Sequence, residues 1–142
     1  MSLASLAHPR PRSPLFTPAA AAFAGRLLLG GVFAISGGEK LADPSATFAY
    51  IEAYGLPAPA VALVVAIFVE LGGALALVLG AGARAAAGLL AAFCLATGLI
   101  FHADLSDPGQ AIQLLKNLAI AGGLIQVAVF GAGRFSLDAL RA

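Results

Sequence analysis

The sequence predicts an all-α integral membrane protein, a bundle of four transmembrane helices, and three observations support that fold class. Of the 142 residues, 61% are hydrophobic and 11% are charged, with a mean hydropathy of +0.97, whereas soluble domains carry about 25% charged residues. A chain this short buries only about 60–70% of its unfolded surface in its own fold, so lipid must cover the rest. The apolar residues fall into four stretches, each close to the ~20 residues that a helix needs to cross ~30 Å of hydrocarbon.

The four predicted spans make up one membrane domain of residues 17–138, and two of them begin with clear start signals. Thr17-Pro18 and Asp107-Pro108 each place a capping residue before a proline at the first helical position. Gln110 is expected to complete a capping box at the fourth span. The stretches are apolar all round rather than alternating, which disfavours β-barrel strands. The predicted spans are about 18–38, 59–80, 83–102 and 108–131.

The first 16 residues are predicted to be a disordered cytoplasmic tail. Three prolines and two arginines within residues 8–14 are typical of a solvated basic segment. A signal peptide cleaved after Ala24 is the disfavoured alternative, because Pro14 and Pro18 would interrupt its apolar region.

Arginine is distributed unequally between the two sides of the predicted bundle. With four spans, both termini and the turn near Gly80 fall on one side, and Lys40 and Lys116 fall on or towards the other with most of the acidic residues. The positive-inside rule then predicts that both termini of this multi-pass protein are cytoplasmic. The arginines on the terminal side are Arg10, Arg12, Arg26, Arg84, Arg134 and Arg141.

The longest connection, residues 37–58, is predicted to hold a short helix that begins at Asp43-Pro44 and ends at Gly55. Tyr50 and Tyr54 suit a membrane–water boundary. The helix either lies on the lipid surface, which the sequence favours, or covers a cavity that opens to the outer side.

Small residues recur at four-residue spacing in three of the spans, which predicts close packing between helices. They are Gly30 and Ala34, then Gly72, Ala76 and Gly80, then Ala119 and Gly123.

Three charged residues lie well inside the predicted spans, away from their ends, where a charge in hydrocarbon is a functional candidate. At ~1.5 Å per residue, the depths of Arg26, Glu70 and Lys116 overlap within the reach of their side chains. We therefore predict a buried polar cluster of Glu70 with Arg26, Lys116 or both. Gln113 and Asn117 share a helical face with Lys116 and would extend it. Such a cluster is either an ion pair that holds helices in register or a site that binds, protonates or transports a molecule.

The other reactive or charged side chains give weaker signals. His102 is expected to be a hydrogen-bonded interfacial residue, because no second histidine or cysteine supports a haem or metal site. Glu39 and Lys40 are expected at the outer boundary as a solvated ion pair. Cys94 is expected to be a small buried residue. No metal and no intrinsic cofactor are therefore predicted, and a redox role would need a diffusible quinone or a partner subunit.

The motifs, in order, resemble those of the DoxX family of small bacterial membrane proteins, from about Arg26 to Asp138. The resemblance implies a four-helix bundle in the inner membrane. It also singles out the polar positions Arg26, Lys40, Glu70, His102, Lys116 and Asn117. The motifs are Arg26-Leu27-Leu28-Leu29-Gly30, Phe33-Ala34-Ile35-Ser36-Gly37, Lys40-Leu41, Gly55-Leu56-Pro57, Glu70-Leu71-Gly72-Gly73, Phe101-His102, Lys116-Asn117-Leu118-Ala119, Gly122-Gly123 and Gly131-Ala132-Gly133-Arg134-Phe135-Ser136-Leu137-Asp138.

Three functions are compatible with these residues. The family takes its name from a likeness to a subunit of an archaeal thiosulfate:quinone oxidoreductase, so the resemblance favours a quinone-interacting membrane subunit of an oxidoreductase system. The alternatives are a non-catalytic scaffold or assembly partner and, less favoured, a component of a small-molecule transporter. Expected partners are membrane lipid and other membrane or redox subunits. A net charge of +1 gives no electrostatic footprint for nucleic acid. No catalytic residue is assigned, and enzymatic activity is left open.

Overall fold

The computed structural model describes residues 17–141, so the predicted tail of residues 1–16 lies outside the described residues. In this part of the chain the protein is all-helical and contains no β-strand. Four of its helices are long and apolar enough to cross a membrane, which confirms the predicted spans. The helices are α1 (Pro18–Ala42), α2 (Pro44–Ala53), α3 (Pro59–Leu79), α4 (Ala83–Phe101) and α5 (Pro108–Phe130), followed by a 3-10 turn at Asp138–Leu140.

The helix starts follow from local capping chemistry. Thr17 Oγ1 accepts the backbone N–H of Ala20 at 3.2 Å, and Asp107 Oδ1 accepts that of Gly109 at 2.7 Å, so both predicted caps are confirmed. The prediction that Gln110 completes a capping box is wrong, because its side-chain oxygen lies beside His102 Nδ1 instead. α3, α4 and α5 end one residue before their predicted limits, and α1 continues four residues beyond its own.

The long helices form a bundle in which α1 packs mainly against α3, α4 packs mainly against α5, and α3 contacts α4. We call the end where α1 and α4 begin the terminal end, because the chain also finishes there. The opposite end, where α3 and α5 begin, is called the α2 end.

The core runs along the centre of the bundle, and large apolar side chains on every long helix are exposed where lipid would cover them. Cys94 is buried, as predicted. The buried core residues are Phe33, Ala74, Leu77, Ala87, Leu90, Ala91, Cys94, Ala121 and Leu124.

Glycines allow the closest helix contacts, although not all at the predicted positions. A Cβ at Gly30 would lie 2.8 Å from Val78, and one at Gly73 would lie 2.7 Å from Leu90. The prediction that small residues at four-residue spacing mark close helix contacts is wrong at some positions. At Gly72 a Cβ would meet nothing within 4 Å, and Ala34 is exposed. Ala119 is exposed as well.

The predicted short helix is confirmed as α2. Asp43 caps it by accepting the backbone N–H of Ala46 at 3.3 Å. It packs against α3 and α1 with Ile51 buried. Because Thr47, Tyr50 and Ile51 line a cavity, the structure favours the covering role over the lipid-surface role that the sequence favoured.

Candidate functional site

Glu70, in the middle of α3, is one of two buried charged residues within residues 17–141, with 4% of its surface exposed. The ammonium of Lys40 lies 3.1 Å from its Oε1 and 3.0 Å from its Oε2. Ser36 donates its hydroxyl to Oε1 at 3.1 Å. We call Ser36, Lys40 and Glu70 the Glu70 cluster.

The donors of the Glu70 cluster are satisfied within the cluster. The three N–H groups of Lys40 have three acceptors: Glu70 Oε1, the Ser36 hydroxyl at 2.8 Å and the Ser36 carbonyl at 3.3 Å. Glu70 Oε2 is buried and has no hydrogen-bond partner among the described residues. Its 3.0 Å contact with the ammonium is therefore coulombic rather than a directed hydrogen bond.

Backbone approach and side-chain direction bring these residues together. A Cβ at Gly37 would lie 2.9 Å from Leu71 and 3.1 Å from the Cβ of Glu70, so glycine lets α1 lie close to α3 at this level. Side chains in helices lean towards the helix N-terminus. Lys40, near the end of α1, therefore leans into the bundle, and Glu70 leans towards the α2 end to meet it.

The predicted pairing of Glu70 with Arg26 is wrong. Arg26 is fully buried but donates Nη1 to the carbonyl of Leu77 at 2.7 Å and Nη2 to the carbonyl of Phe135. The direction rule gives the reason, since Arg26 leans towards the start of α1 and away from Glu70.

The predicted pairing with Lys116 is also wrong. Lys116 and Gln113 are exposed and lean towards the start of α5, which puts them at the surface of the α2 end. Asn117 packs against Gly98 of α4 and lines the same cavity as Glu70. Of the predicted cluster, the structure thus places Glu70 and Asn117 on one cavity and leaves Arg26, Gln113 and Lys116 away from it.

The boundary residues also differ from the sequence prediction. Glu39 is exposed, and Lys40, with 21% of its side chain exposed, pairs with Glu70 instead. Ser36 was missed by sequence reasoning. The signal for it was its spacing, because Ser36 lies four residues before Lys40 on the same helical face.

A cavity of about 670 Å³ lies at the α2 end of the bundle beside the Glu70 cluster. This volume falls within the ~300–1,000 Å³ of typical small-molecule sites, which are mostly apolar with a few placed polar groups. α2 lies over it, and α3 and α4 supply its apolar and aromatic walls. The cavity lining includes Ser36, Lys40, Thr47, Tyr50, Ile51, Ala62, Val65, Ala66, Glu70, Phe93, Ala96, Ile100, Phe101, His102 and Asn117.

Contacts among three aromatic side chains hold α2 over the end of α4. The rings of Tyr50 and Tyr54 lie 5.4 and 5.0 Å from that of Phe101, and Tyr54 donates its hydroxyl to the Phe101 carbonyl at 3.0 Å. Burial, and then the hydrogen bond with Tyr54, raises the pKa of Tyr50 to about 12. The Tyr50 hydroxyl donates to that of Tyr54 at 3.4 Å, so its single proton is engaged within this aromatic group.

His102 closes another part of the cavity and is hydrogen-bonded at the helix end, as predicted. Its Nδ1 lies within hydrogen-bond distance of Gln110 Oε1, at 2.6 Å. A second cavity of about 480 Å³ lies at the surface of the α2 end and shares Tyr50 and His102 with the first. Gln113 and Lys116 line this outer cavity.

The terminal end is held by a different arrangement, the C-terminal latch of Arg26, Phe135 and Asp138. Besides the Arg26 contacts, Asp138 accepts the backbone N–H groups of Gly82 at 2.8 Å and Ala83 at 3.0 Å, at the start of α4. The N–H of Ala83, then that of Gly82, lowers the pKa of Asp138. The latch joins the chain end to α1, α3 and α4.

The fold and the site together define a small multi-pass membrane protein with an internal, mainly apolar cavity beside a buried ion pair. Residues 21–103, more than half of the chain, match the DoxX family model. The chain belongs to the DoxX family.

Two curated relatives agree with this assignment. Inner membrane protein YqjF of Escherichia coli (strain K12) is 35% identical over 115 residues, which are 81% of this chain and 87% of the relative. Inner membrane protein YphA of the same organism is 33% identical over 112 residues, 75% of this chain and 80% of the relative. No solved structure matches the chain. The family, the relatives and the four spans place this protein in the inner membrane.

The described residues contain no group of three or more His, Cys, Asp or Glu side chains that could hold a metal ion. The site offers a ligand hydrogen bonding, charge and aromatic surface.

Proposed function

We propose that this protein binds a quinone-class molecule in the cavity beside Glu70, as a membrane subunit of an oxidoreductase system. The observation that carries the proposal is the placement of one buried ion pair on a cavity whose other walls are mostly apolar and aromatic. A quinone head has the same character, a flat apolar ring with two polar oxygens.

The cavity has separate polar groups for the two ends of such a head. At the inner end lies the Glu70 cluster, and on the other walls lie the amide of Asn117, the hydroxyl of Thr47 and the phenol of Tyr50. The amide of Asn117 and the hydroxyl of Thr47 can donate hydrogen bonds to a quinone carbonyl. Glu70 Oε2, which has no hydrogen-bond partner among the described residues, can accept one from the hydroxyl of the reduced quinol. Phe93 and Phe101 offer ring surfaces for stacking.

In this proposal the chain supplies binding and positioning, and a partner subunit or a second substrate supplies or removes the electrons. Lys116 takes no part in the main cavity, because it is exposed on the outer one.

The proposal includes an orientation. We propose that both termini are cytoplasmic, since the side that carries them holds most of the arginines. The cavity would then lie in the outer half of the membrane. Reporter fusions at the C-terminus and in the α2 connection test this, and a cytoplasmic signal from the α2 connection would reverse the orientation.

The binding proposal is tested by mass spectrometry of small molecules retained by the gently purified protein. We expect quinone-class molecules, the reduced quinol included, in the wild type and about tenfold less in Glu70→Gln, because a quinol hydroxyl then loses its hydrogen bond to the charged carboxylate, which contributes roughly 1.5–3 kcal/mol.

Glu39→Gln is the matched control for that experiment. It makes the same change on an exposed glutamate at the same end of the bundle, so quinone retention should equal that of the wild type. Absence of quinone from every sample, or equal losses in both variants, would refute the proposal.

A further inference from the structure

The cavity has an opening that faces lipid rather than water. Val65 on α3 and Ile100 on α4 both line the cavity, yet 51% and 46% of their surfaces are exposed. Ala96 lines it too and is exposed. We call Val65, Ala96 and Ile100 the α3–α4 seam.

Two of the three seam residues, Val65 and Ala96, lie at the depth of the acyl chains. Val65 is six residues after the start of α3, and Ala96 is five residues before the end of α4. At ~1.5 Å per residue they lie about 9 and 8 Å inside the α2 end. Both helices span the membrane, so a gap at this level opens onto hydrocarbon.

Side-chain size explains why the seam is open only in this half of the bundle. Towards the terminal end, α3 and α4 are in tight contact, where Leu90 fills the space beside Gly73. Towards the α2 end, the facing positions of the cavity wall include the small residues Ala62, Ala66 and Ala96. These leave the space that the cavity occupies.

The water-facing side is covered. α2 lies over the cavity, with Ile51 buried and Tyr54 hydrogen-bonded to the Phe101 carbonyl. A ligand from water would have to displace this cover, whereas a ligand from the bilayer would meet an apolar opening that leads to a polar inner end.

We infer that the ligand is a lipid-soluble amphiphile that enters from the bilayer and leaves its long apolar tail in the α3–α4 seam while its head lies beside Glu70. This inference rests on the proposed function and narrows the ligand to quinones with a tail. The seam is apolar, continuous with the cavity and set at hydrocarbon depth, and an alkyl or isoprenoid chain matches all three properties.

Photo-crosslinking in lipid vesicles tests the inference. The probe is an alkyl-tailed benzoquinone with a diazirine near the end of its tail, and the competitor is the same benzoquinone without a tail. We expect the adducts that the competitor suppresses to map to peptides that contain the seam residues. Ala96→Trp should lower their yield about tenfold by overfilling the seam.

Leu99→Trp is the matched control, because Leu99 is exposed on the same helix and lies outside the cavity lining. It should leave the yield unchanged. Val65→Trp fills the seam from α3 instead of α4. A lower yield in both variants would therefore not be due to a folding defect particular to Ala96→Trp.

The outcomes separate the inference from the proposed function. If the competitor suppresses adducts that map instead to α2 or to the outer cavity, or if neither seam variant lowers the yield, the head-group site stands and lateral entry is wrong. If the competitor suppresses no adducts, the head-group site fails and the inference fails with it.

Discussion

Arg26 and Glu70 are both buried charges, yet Arg26 lies towards the terminal end and Glu70 near the middle of the bundle, in different surroundings. Arg26 is enclosed by protein, and its guanidinium donates to backbone carbonyls of α3 and of the chain end. Glu70 is paired with Lys40 across two helices and lines a cavity, and Arg26 lines neither cavity. A buried charge surrounded by protein can hold helices together, whereas one that borders open space can also recognise a ligand.

The largest expected effect comes from removing the charge at the terminal end. Arg26→Met removes the hydrogen bonds that tie the carbonyls of Leu77 and Phe135 to α1. Since each hydrogen bond to a charged group contributes roughly 1.5–3 kcal/mol, we expect a loss of about 4 kcal/mol of stability. Thermal unfolding followed by size-exclusion chromatography measures it. Arg134→Met, at an exposed position, is the control, and equal unfolding midpoints for the two variants would contradict the latch.

Removing only Lys40 from its ion pair with Glu70 should reduce the stability of the protein by a somewhat smaller amount. Lys40→Met leaves a buried carboxylate without its cation, which costs roughly 3–5 kcal/mol for a fully buried pair. Because 21% of the Lys40 side chain is exposed, we expect about 2–3 kcal/mol. The double variant Lys40→Met/Glu70→Gln should recover most of this loss. A double variant as unstable as the sum of its single changes would show that the two side chains are not coupled.

The two glycines in the turn between α3 and α4 test how tightly the terminal end is packed. Gly80 and Gly82 both have left-handed φ values, +65° and +59°, but only at Gly80 would a Cβ meet the side chains of Arg26 and Ser136. Alanine in left-handed geometry costs about 1–2 kcal/mol at either position. Overpacking should add about 2 kcal/mol at Gly80 alone. Equal unfolding midpoints for Gly80→Ala and Gly82→Ala would mean that this end is not tightly packed.

The smallest effect is the pH dependence of the latch. The backbone N–H groups at the start of α4 lower the pKa of Asp138 in the folded protein. A lowered folded pKa contributes stability above the ordinary aspartate value of about 3.9, and this stability is lost as the pH falls through the folded value. Asp138→Asn should therefore flatten the acid limb of a plot of unfolding midpoint against pH. A limb parallel to that of the wild type would exclude Asp138 as its source.

The fold could be predicted from sequence because the membrane imposes it. The lengths of the apolar stretches predicted the four spans. The prolines after Thr17, Asp43 and Asp107 predicted three helix starts, which the structure confirms. The end of α1 was placed too early because Gly37-Gly38 resembles a stop signal. Yet Gly37 serves instead to bring α1 against Glu70.

The candidate site could be predicted only in part. Glu70 and Asn117 were found because polar groups inside apolar spans are conspicuous. Their partners were misassigned because depth along a helix does not say which way a side chain leans. Arg26 and Lys116 lean away from Glu70, and Lys40, expected in water, leans towards it.

The central claim, that the space beside Glu70 is a binding site, is tested most directly by tyrosine fluorescence. The chain has two tyrosines and no tryptophan, and both tyrosines lie in α2 or at its end, with Tyr50 on the cavity wall. Titration of the purified protein with an alkyl-tailed quinol, the reduced form whose hydroxyl can donate to Glu70, should give saturable quenching, with about tenfold weaker binding in Glu70→Gln and unchanged binding in Glu39→Gln. Quenching that rises without saturation, or that is identical in all three proteins, would contradict the account.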